Sequence, residues 1–114
     1  MSITELAKLR QVTSETLRYY DRIGLITPDY VDPQTRYRYY SIRQYEKLGT
    51  IKELRQLGMS IHDITDYFSG RNLRKSHQLL LHQLELLEEE IRKQQLLSEI
   101  LRRKLHFLSE ITPP

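Results

Sequence analysis

The 114-residue chain contains no cysteine. Neither a disulfide framework nor a thiolate metal site can therefore form, which fits a reducing cytoplasm. No uninterrupted apolar stretch is long enough to span a bilayer, and Met1 leads directly into Ser-Ile-Thr-Glu without the apolar segment of a secretory signal. We therefore expect a cytoplasmic protein that has no membrane partner.

Motifs of catalysis and metal binding are also missing. The sequence contains no nucleophile–base spacing, no phosphate-binding loop and no metal-ligand pattern, so we expect no enzyme, no cofactor and no catalytic or metal site. His77 and His82 are five residues apart, which places them on different faces of a helix. His62 and His106 stand alone, and we interpret all four histidines as surface or seam residues.

The positive charge lies in the first half of the chain. Residues 1–58 contain ten Lys and Arg against seven Asp and Glu, whereas residues 59–114 contain eight of each. A basic half beside a neutral half indicates that the first half binds a polyanion. The alternative is that a net charge of +3 is a chance excess on a soluble domain.

The first 24 residues have the proportions of a helix-turn-helix. Residues 3–10 repeat apolar side chains at helical spacing, and a second helix is predicted between an N-cap at Thr13 and a terminating Gly24. Its inward-facing positions are predicted to be Leu17, Tyr20 and Ile23. Two short helices joined by a few residues are typical of DNA-binding modules.

A small two-stranded wing is predicted to follow. Residues 32–35 form a turn between Leu25-Ile26 and Tyr37–Tyr40, whose aromatic and β-branched side chains favour strands. Two further helices are predicted to begin at Ser41 and Ser60, each with a capping signal. The apolar positions expected in the first of these helices are Ile42, Tyr45, Leu48, Ile51, Leu54 and Leu57.

Glycine and proline are absent from residue 72 until Pro113, which predicts one helix of about 60 Å. Alternating steps of four and three define a coiled-coil seam with a polar gap at Gln94 and Ser98. Its apolar positions are Leu80, Leu84, Leu87, Ile91, Leu101, Leu105 and Leu108. A second copy of the chain is the simplest partner, and the alternatives are a solvated single helix or an intramolecular hairpin. Several leucines off the seam imply a second apolar surface.

The second helix carries the strongest candidates for DNA recognition. Its outward face is expected to present Arg18, which can read a guanine edge in the major groove, and Tyr19, which can donate to a phosphate. The alternative for Arg18 is an ion pair with Glu15, Asp21 or Asp66.

The wing carries a second cluster, Arg36-Tyr37-Arg38-Tyr39-Tyr40. Strand alternation places Tyr37 and Tyr39 on one face and Arg38 and Tyr40 on the other. Basic residues interleaved with aromatics suit contacts to the DNA backbone and the minor groove. A hydrophobic wing with solvated arginines is the alternative.

Three segments together resemble the MerR family of bacterial transcriptional regulators. They read TLRYYDRIGL from Thr16, RYRYY from Arg36 and IKELRQLGMS from Ile51, in the order and spacing of that family's DNA-binding domain. The long terminal helix resembles its dimerisation helix. The segment PDYVDPQTRYRYY is most similar to the multidrug-responsive, BmrR-like branch.

The resemblance implies a mainly α fold with two parts. Residues 1–70 would form a winged helix-turn-helix DNA-binding domain, and residues 71–114 an antiparallel coiled-coil dimerisation helix with a short tail. A homodimer would bind two half-sites of a pseudo-palindromic promoter operator, spaced by about one helical turn, roughly 34–36 Å. It would distort the promoter spacer so that RNA polymerase can engage it.

The resemblance also assigns residues to DNA. Arg18 and Tyr19 would act from the recognition helix, while Tyr37 and Arg38 would act from the wing and Arg55 on a flanking phosphate. Contacts near the start of the recognition helix would come from Thr13, Ser14 and Thr16. Many family members have glycine at the positions of Gln11 and Arg36, so these two turns are expected to differ in detail, and Arg36 to add a DNA contact.

Other functions stay open at this point. One is an architectural, excisionase-like DNA-binding protein, although the long helix argues against it. Another is a coiled-coil interaction module whose basic head docks on an acidic partner. A small-molecule effector is compatible with the BmrR-like resemblance, but no effector site is identifiable, and the chain ends where such relatives continue into an effector domain.

Overall fold

The computed structural model describes residues 1–70 and 72–112. Arg71, predicted to begin the second domain, and Pro113 and Pro114 of the predicted tail lie outside the described residues. The chain divides into two compact units, of which the first ends at Asn72 and the second begins at Leu73. None of the described helices is both long and apolar enough to cross a membrane.

Helices dominate both units, as predicted. In the described residues they are α1 (Ile3–Arg10), α2 (Ser14–Arg22), α3 (Ile42–Gln56), α4 (Ile61–Ser69) and α5 (Leu73–Ile111). The mainly α fold class, with a two-stranded wing and a long terminal helix, is confirmed.

Hydrogen-bonded caps explain where these helices begin. Thr13 Oγ1 accepts from the backbone N–H of Thr16 at 3.0 Å, and Ser60 Oγ accepts from that of Asp63 at 3.1 Å. At the start of α3, Gln44 Oε1 accepts from the backbone N–H of Ser41 at 2.6 Å. Each bond satisfies a backbone donor that the helix itself leaves free. The capping signals in the sequence were therefore sufficient to place these three helix starts.

The wing is shorter than predicted. Its strands β1 (Tyr30–Val31) and β2 (Arg38–Tyr39) pair antiparallel. The expectation that Leu25-Ile26 forms the first strand is wrong, because the backbone N–H groups of both residues bond to the carbonyl of Tyr20, at 2.9 and 3.3 Å. These bonds close the end of α2 and direct both side chains into the core, where each is 2% exposed.

The apolar core lies among the first four helices. Its fully buried side chains include Leu6, Leu17, Leu48, Ile51 and Ile64. Tyr20 is also buried, and burial raises its pKa above the ordinary value. Ile23, predicted to face inward, is 38% exposed because α2 ends at Arg22 and Ile23 is its C-cap.

The predicted apolar face of α3 is only partly correct. Leu48, Ile51 and Leu54 are buried, whereas Ile42 and Leu57 are exposed. Positions three residues apart fall about 60° short of a full turn at 3.6 residues per turn. Side chains spaced every three residues therefore turn away from the core-facing side of the helix after a few repeats.

Arg10 connects α1 to α3 through a close approach at Gly49. Its guanidinium carbon lies 3.6 Å from the centre of the Tyr45 ring, and its Nε donates to the Tyr45 carbonyl at 2.9 Å. A Cβ at Gly49 would come within 2.7 Å of the Arg10 Nη2. A glycine inside a helix costs about 1 kcal/mol relative to alanine, and the approach of Arg10 accounts for glycine here.

Two turns adopt left-handed backbone without glycine. Gln11 has φ 57° and ψ 47°, and Arg36 has φ 65°. At the first turn, the N–H of Val12 bonds to the carbonyl of Ala7 at 3.0 Å and closes the end of α1. Both turns therefore have a backbone that favours glycine, and the chain carries the strain of a side chain at each.

The second unit consists of α5, a continuous helix of 39 residues with no buried side chain among those described. Its continuity excludes the intramolecular hairpin.

Replacing Gln11 by glycine is expected to stabilise the first unit. Relief of the left-handed strain, about 1–2 kcal/mol, outweighs the greater freedom of glycine in the unfolded chain, about 0.4–1 kcal/mol. Denaturant unfolding should show a gain of roughly 0.5–1 kcal/mol. As a control, Gln56→Gly in the last turn of α3 should destabilise. Destabilisation by Gln11→Gly would show that the Gln11 side chain makes a compensating interaction.

Candidate nucleic-acid interface

The outer face of α2 is polar and solvent-exposed. Leu17 and Tyr20 are buried on its inner side, whereas Arg18 and Tyr19 are exposed on the other. Within residues 1–70 and 72–112, Arg18 has no ion-pair partner, so the predicted alternative of a salt bridge to Glu15, Asp21 or Asp66 is not found there. The Arg18 guanidinium is thus accessible to a ligand.

Arg18 shares a cleft of about 440 Å³ with the wing. The wing residues at the cleft are Arg36, Tyr37 and Arg38, and the other wall is formed by Ser2, Ile3 and Thr4 at the start of α1. Three arginines around one opening, one of them paired with Asp21, leave it positively charged and attractive to an anion. The fold therefore brings the predicted recognition-helix and wing residues together, although they lie 18 or more positions apart.

Arg38 also holds the wing against α2. Its Nε lies 3.1 Å from Asp21 Oδ2, and the two side chains are 34% and 26% exposed. Such a charged, partly desolvated hydrogen bond is stronger than an exposed surface pair. Arg38 is consequently a positioning residue for the wing as well as a candidate for DNA contact.

The wing tip is shaped by Asp32. Its carboxylate accepts from the backbone N–H groups of Gln34 at 2.8 Å and Thr35 at 3.1 Å, and these bonds lower the pKa of Asp32 below its usual value. The left-handed Arg36 follows, and Tyr37 beside it is 65% exposed. The tip is therefore a structured loop that presents Arg36 and Tyr37 outward.

The other edge of the wing is bonded to the start of the chain. The Tyr40 N–H donates to the Met1 carbonyl at 2.6 Å, and the Met1 amino group donates to the Tyr40 carbonyl at 2.7 Å. Ser2 continues this pairing opposite Tyr39. The first residues of the chain thus fix β2 and line the cleft.

Sequence reasoning missed the contribution of Ser2. Its Oγ accepts from the Glu5 N–H at 3.1 Å, and the Glu5 carboxylate accepts from the Ser2 N–H at the same distance. The bond that the Ser2 N–H donates to the carboxylate lowers the pKa of Glu5. The pattern Ser-Ile-Thr-Glu is a capping box that the sequence displays, and it would have placed Ser2 at the helix start.

The remaining predicted residues lie outside the cleft lining. Thr13 and Thr16 join their hydroxyls at 2.8 Å where α2 begins, next to the partly exposed Ser14. Arg55, near the end of α3, donates from Nη1 to the Met59 carbonyl at 2.9 Å and so braces the turn before α4. The dimerisation candidates on α5 are all exposed.

Two histidines do not stand alone, contrary to the prediction. His62 Nδ1 lies 3.7 Å from carboxylate oxygens of Asp63 and Asp66, and His106 Nε2 lies 3.0 Å from Glu110 Oε1. Spacings of four residues on a helix bring such side chains together. These exposed contacts are surface ion pairs when the histidine is protonated.

A family model described as "MerR HTH family regulatory protein" matches residues 1–71. The chain is 36% identical over 110 residues to the multidrug-efflux transporter 1 regulator of Bacillus subtilis, covering 96% of this chain and 34% of the relative. It is 36% identical over 104 residues to the transcriptional regulator BrlR of Pseudomonas aeruginosa, covering 88% of this chain and 38% of that protein. The chain therefore spans about a third of the length of these relatives, which are both named as regulators rather than enzymes.

A solved structure supports the same comparison. The EcmrR–DNA complex within EcmrR-RPo matches with a TM-score of 0.70 and 32% sequence identity, covering 96% of this chain and 39% of the EcmrR chain. In that protein the matching region was determined together with DNA.

Removing the Arg38 side chain is expected to loosen the wing. Arg38→Ala breaks the bond to Asp21 and should lower the free energy of unfolding by about 1 kcal/mol. Arg36→Ala is the matched control, because Arg36 is exposed and its loss should change stability by less than about 0.5 kcal/mol. Equal unfolding midpoints for the two variants in urea would contradict a positioning role for Arg38.

Proposed function

Because the chain belongs to the MerR family of DNA-binding transcriptional regulators, we propose that α2 and the wing bind double-stranded DNA at a promoter operator. The observation that carries this proposal is the cleft at which Arg18 meets Arg36 and Arg38. The DNA backbone is the polyanion that such a cluster fits.

The proposed roles follow from position. Arg18 reads a base edge from α2, and Tyr19 donates to a phosphate. Arg36, Tyr37 and Arg38 contact backbone from the wing, Arg38 while bonded to Asp21. Further phosphate contacts are assigned to Thr13, Ser14, Thr16 and Arg55. The Thr13 side chain caps the start of α2, and Arg55 braces the turn after α3.

The second part of the proposal is assembly. Residues 1–70 form the DNA-binding domain, and residues 71–114 join two chains through an antiparallel coiled coil of α5. The support is the exposed seam of that helix. Two recognition helices then read a pseudo-palindromic operator in the cytoplasm, distort its spacer and control RNA polymerase. Since one relative is named a multidrug-efflux transporter regulator, control of the whole protein by a small molecule belongs to the proposal, with no residue of this chain assigned to it.

Arg18→Ala tests the recognition role. The operator is obtained by selection from a random duplex library, and binding is measured by fluorescence anisotropy. The variant should lose roughly 1–3 kcal/mol of affinity and accept other bases at one position of each half-site. Glu15→Ala, on the same helix, is the control and should retain the base preference. Unchanged affinity and preference in Arg18→Ala would contradict base reading by Arg18.

A salt titration separates specific binding from charge alone. The wild-type chain should prefer the selected duplex over random duplex by roughly 10³ or more, with affinity for both falling steeply as salt rises. Equal affinity for the two duplexes would support the architectural alternative, and the absence of DNA binding would support a protein-interaction module.

Leu84→Asp/Leu87→Asp tests assembly through α5. Carboxylates in two successive layers of the seam should produce monomers in sedimentation velocity and weaken operator binding by roughly 100-fold or more, since two-site binding is lost. Glu85→Asp/Glu99→Asp is a control that places the same residue type on the outward face of α5, away from the seam. A double variant that stays dimeric would contradict the assigned seam.

A further inference from the structure

The apolar seam of α5 is interrupted at two successive positions. Gln94 and Ser98 lie on the same face as Leu87, Ile91 and Leu101. All belong to one continuous helix, so the interruption cannot be moved out of the seam by a break in the helix. A polar residue in a coiled-coil core lowers stability but specifies the register. Two neighbouring polar positions leave few alignments in which each of them faces a polar residue of the partner helix.

One antiparallel alignment of two copies of α5 matches every core layer between residues 84 and 108. Gln94 then faces the partner's Ser98, and the symmetry axis passes beside residues 95–97. The layers outward from that point are apolar on both sides. Ile91 faces the partner's Leu101, Leu87 faces the partner's Leu105, and Leu84 faces the partner's Leu108.

The charged residues that flank the seam agree with this alignment independently. On one side of the seam, Glu88 faces the partner's Arg102. On the other side, Glu90 faces the partner's Lys104. The twofold symmetry of the dimer repeats each pair, so four opposite-charge pairs flank the apolar core. The side chain of Leu97, which lies beside the seam, meets the partner's Leu97 at the symmetry axis.

Other alignments lose the opposite-charge pairs, and a shifted antiparallel alignment also loses the match of polar with polar positions in the core. Sliding the antiparallel helices by one heptad, so that Ile91 faces the partner's Gln94, sets Ser98 against the partner's Leu87. Glu90 then faces the partner's Leu97 rather than a cation. A parallel in-register pair keeps Gln94 opposite its own copy, but it sets Leu97 beside the partner's Arg102 and pairs no opposite charges among the flanking residues.

We propose that Gln94 and Ser98, together with Glu88, Glu90, Arg102 and Lys104, fix an antiparallel α5 dimer whose symmetry axis passes beside Leu97. This inference rests on the proposed function, because it specifies the register of the proposed dimer. In the single chain, Gln94 Nε2 donates to Glu90 Oε1 at 3.1 Å on an exposed surface. In the dimer the Gln94 amide bonds the partner's Ser98 hydroxyl, and Glu90 is left for the partner's Lys104.

A charge-exchange experiment tests the flanking pairs. Glu88→Lys/Glu90→Lys should weaken dimerisation roughly tenfold or more in sedimentation equilibrium, because four attractive pairs become repulsive. Adding Arg102→Glu/Lys104→Glu should restore the dissociation constant to within about threefold. Positions 88 and 102 are about 21 Å apart along one straight helix, so rescue can arise only between chains.

Glu85→Lys/Glu99→Lys is the matched control for the charge exchange. It makes the same change in net charge on the outward face of α5 and should leave the dissociation constant within about threefold of the wild type. If the four-residue exchange fails to rescue, or if the control weakens the dimer as much as Glu88→Lys/Glu90→Lys does, the proposed register is overturned.

Cysteine crosslinking reads the register directly, because the chain has no cysteine of its own. A mixture of Ile91→Cys and Leu101→Cys chains should form a disulfide-linked heterodimer under mild oxidation, and neither variant alone should crosslink. Crosslinking of Ile91→Cys with itself would show a parallel pair. Crosslinking of Ile91→Cys with Gln94→Cys, in place of Leu101→Cys, would show an alignment shifted by one heptad, and either result would refute the proposal.

These readouts separate the register from the proposed function. If Leu84→Asp/Leu87→Asp yields monomers but the crosslinks follow another register, only the present inference fails. If the wild-type chain is monomeric at concentrations where family-type dimers should form, both fail.

Discussion

The exposed apolar seam of α5 limits what the molecule can do in solution more than any other feature. A helix of 39 residues with no buried side chain cannot be a stable end state in water, because its leucines and isoleucines form a long exposed apolar stripe. Its continuity removes the option of folding back on itself. In the proposed dimer a second α5 covers the stripe, and the two chains carry two DNA-binding units. Two-site binding in that dimer would supply an affinity that a single small unit with modest net charge would not reach.

The DNA-binding unit is built so that three distant segments form one surface. The Asp21–Arg38 bond ties the wing to α2, the Met1–Tyr40 bonds tie β2 to the start of the chain, and Gln44 donates to the Thr27 carbonyl at 2.7 Å. These are polar links around a small apolar core. They place Arg18 and the wing arginines at one cleft.

Much of this architecture could be predicted from the sequence, because its signals are local. Each of these signals determines a helix end or a helix length by chemistry within a few residues. They are the caps at Thr13, Ser41 and Ser60, the left-handed Gly24 and the unbroken run after Asn72. Leu25-Ile26 was misassigned because its backbone is captured by the Tyr20 carbonyl, a bond that depends on how α2 ends. The misassigned face of α3 came from a repeat of threes that departs from the true helical period.

The composition of the cleft was harder to predict. The residue types of Arg18, Arg36 and Arg38 indicated DNA, but the double role of Arg38 depends on its distance to Asp21, 17 positions away. Ser2 had a readable capping pattern, whereas its place opposite Tyr39 required the tertiary fold. The proposed pairing of α5, unlike the cleft, depends on the order of polar and charged residues along one helix. That order can be read from the sequence once the helix is known to be continuous.

In the proposed assembly this chain acts on DNA as a dimer with two equivalent recognition units. The mass of its complex with a selected duplex, measured by native mass spectrometry at protein concentrations around the dissociation constant, tests this stoichiometry. Two chains per duplex should appear in one step, with no appreciable population of duplex carrying a single chain. A complex of one chain per duplex that persists with full sequence preference would contradict it.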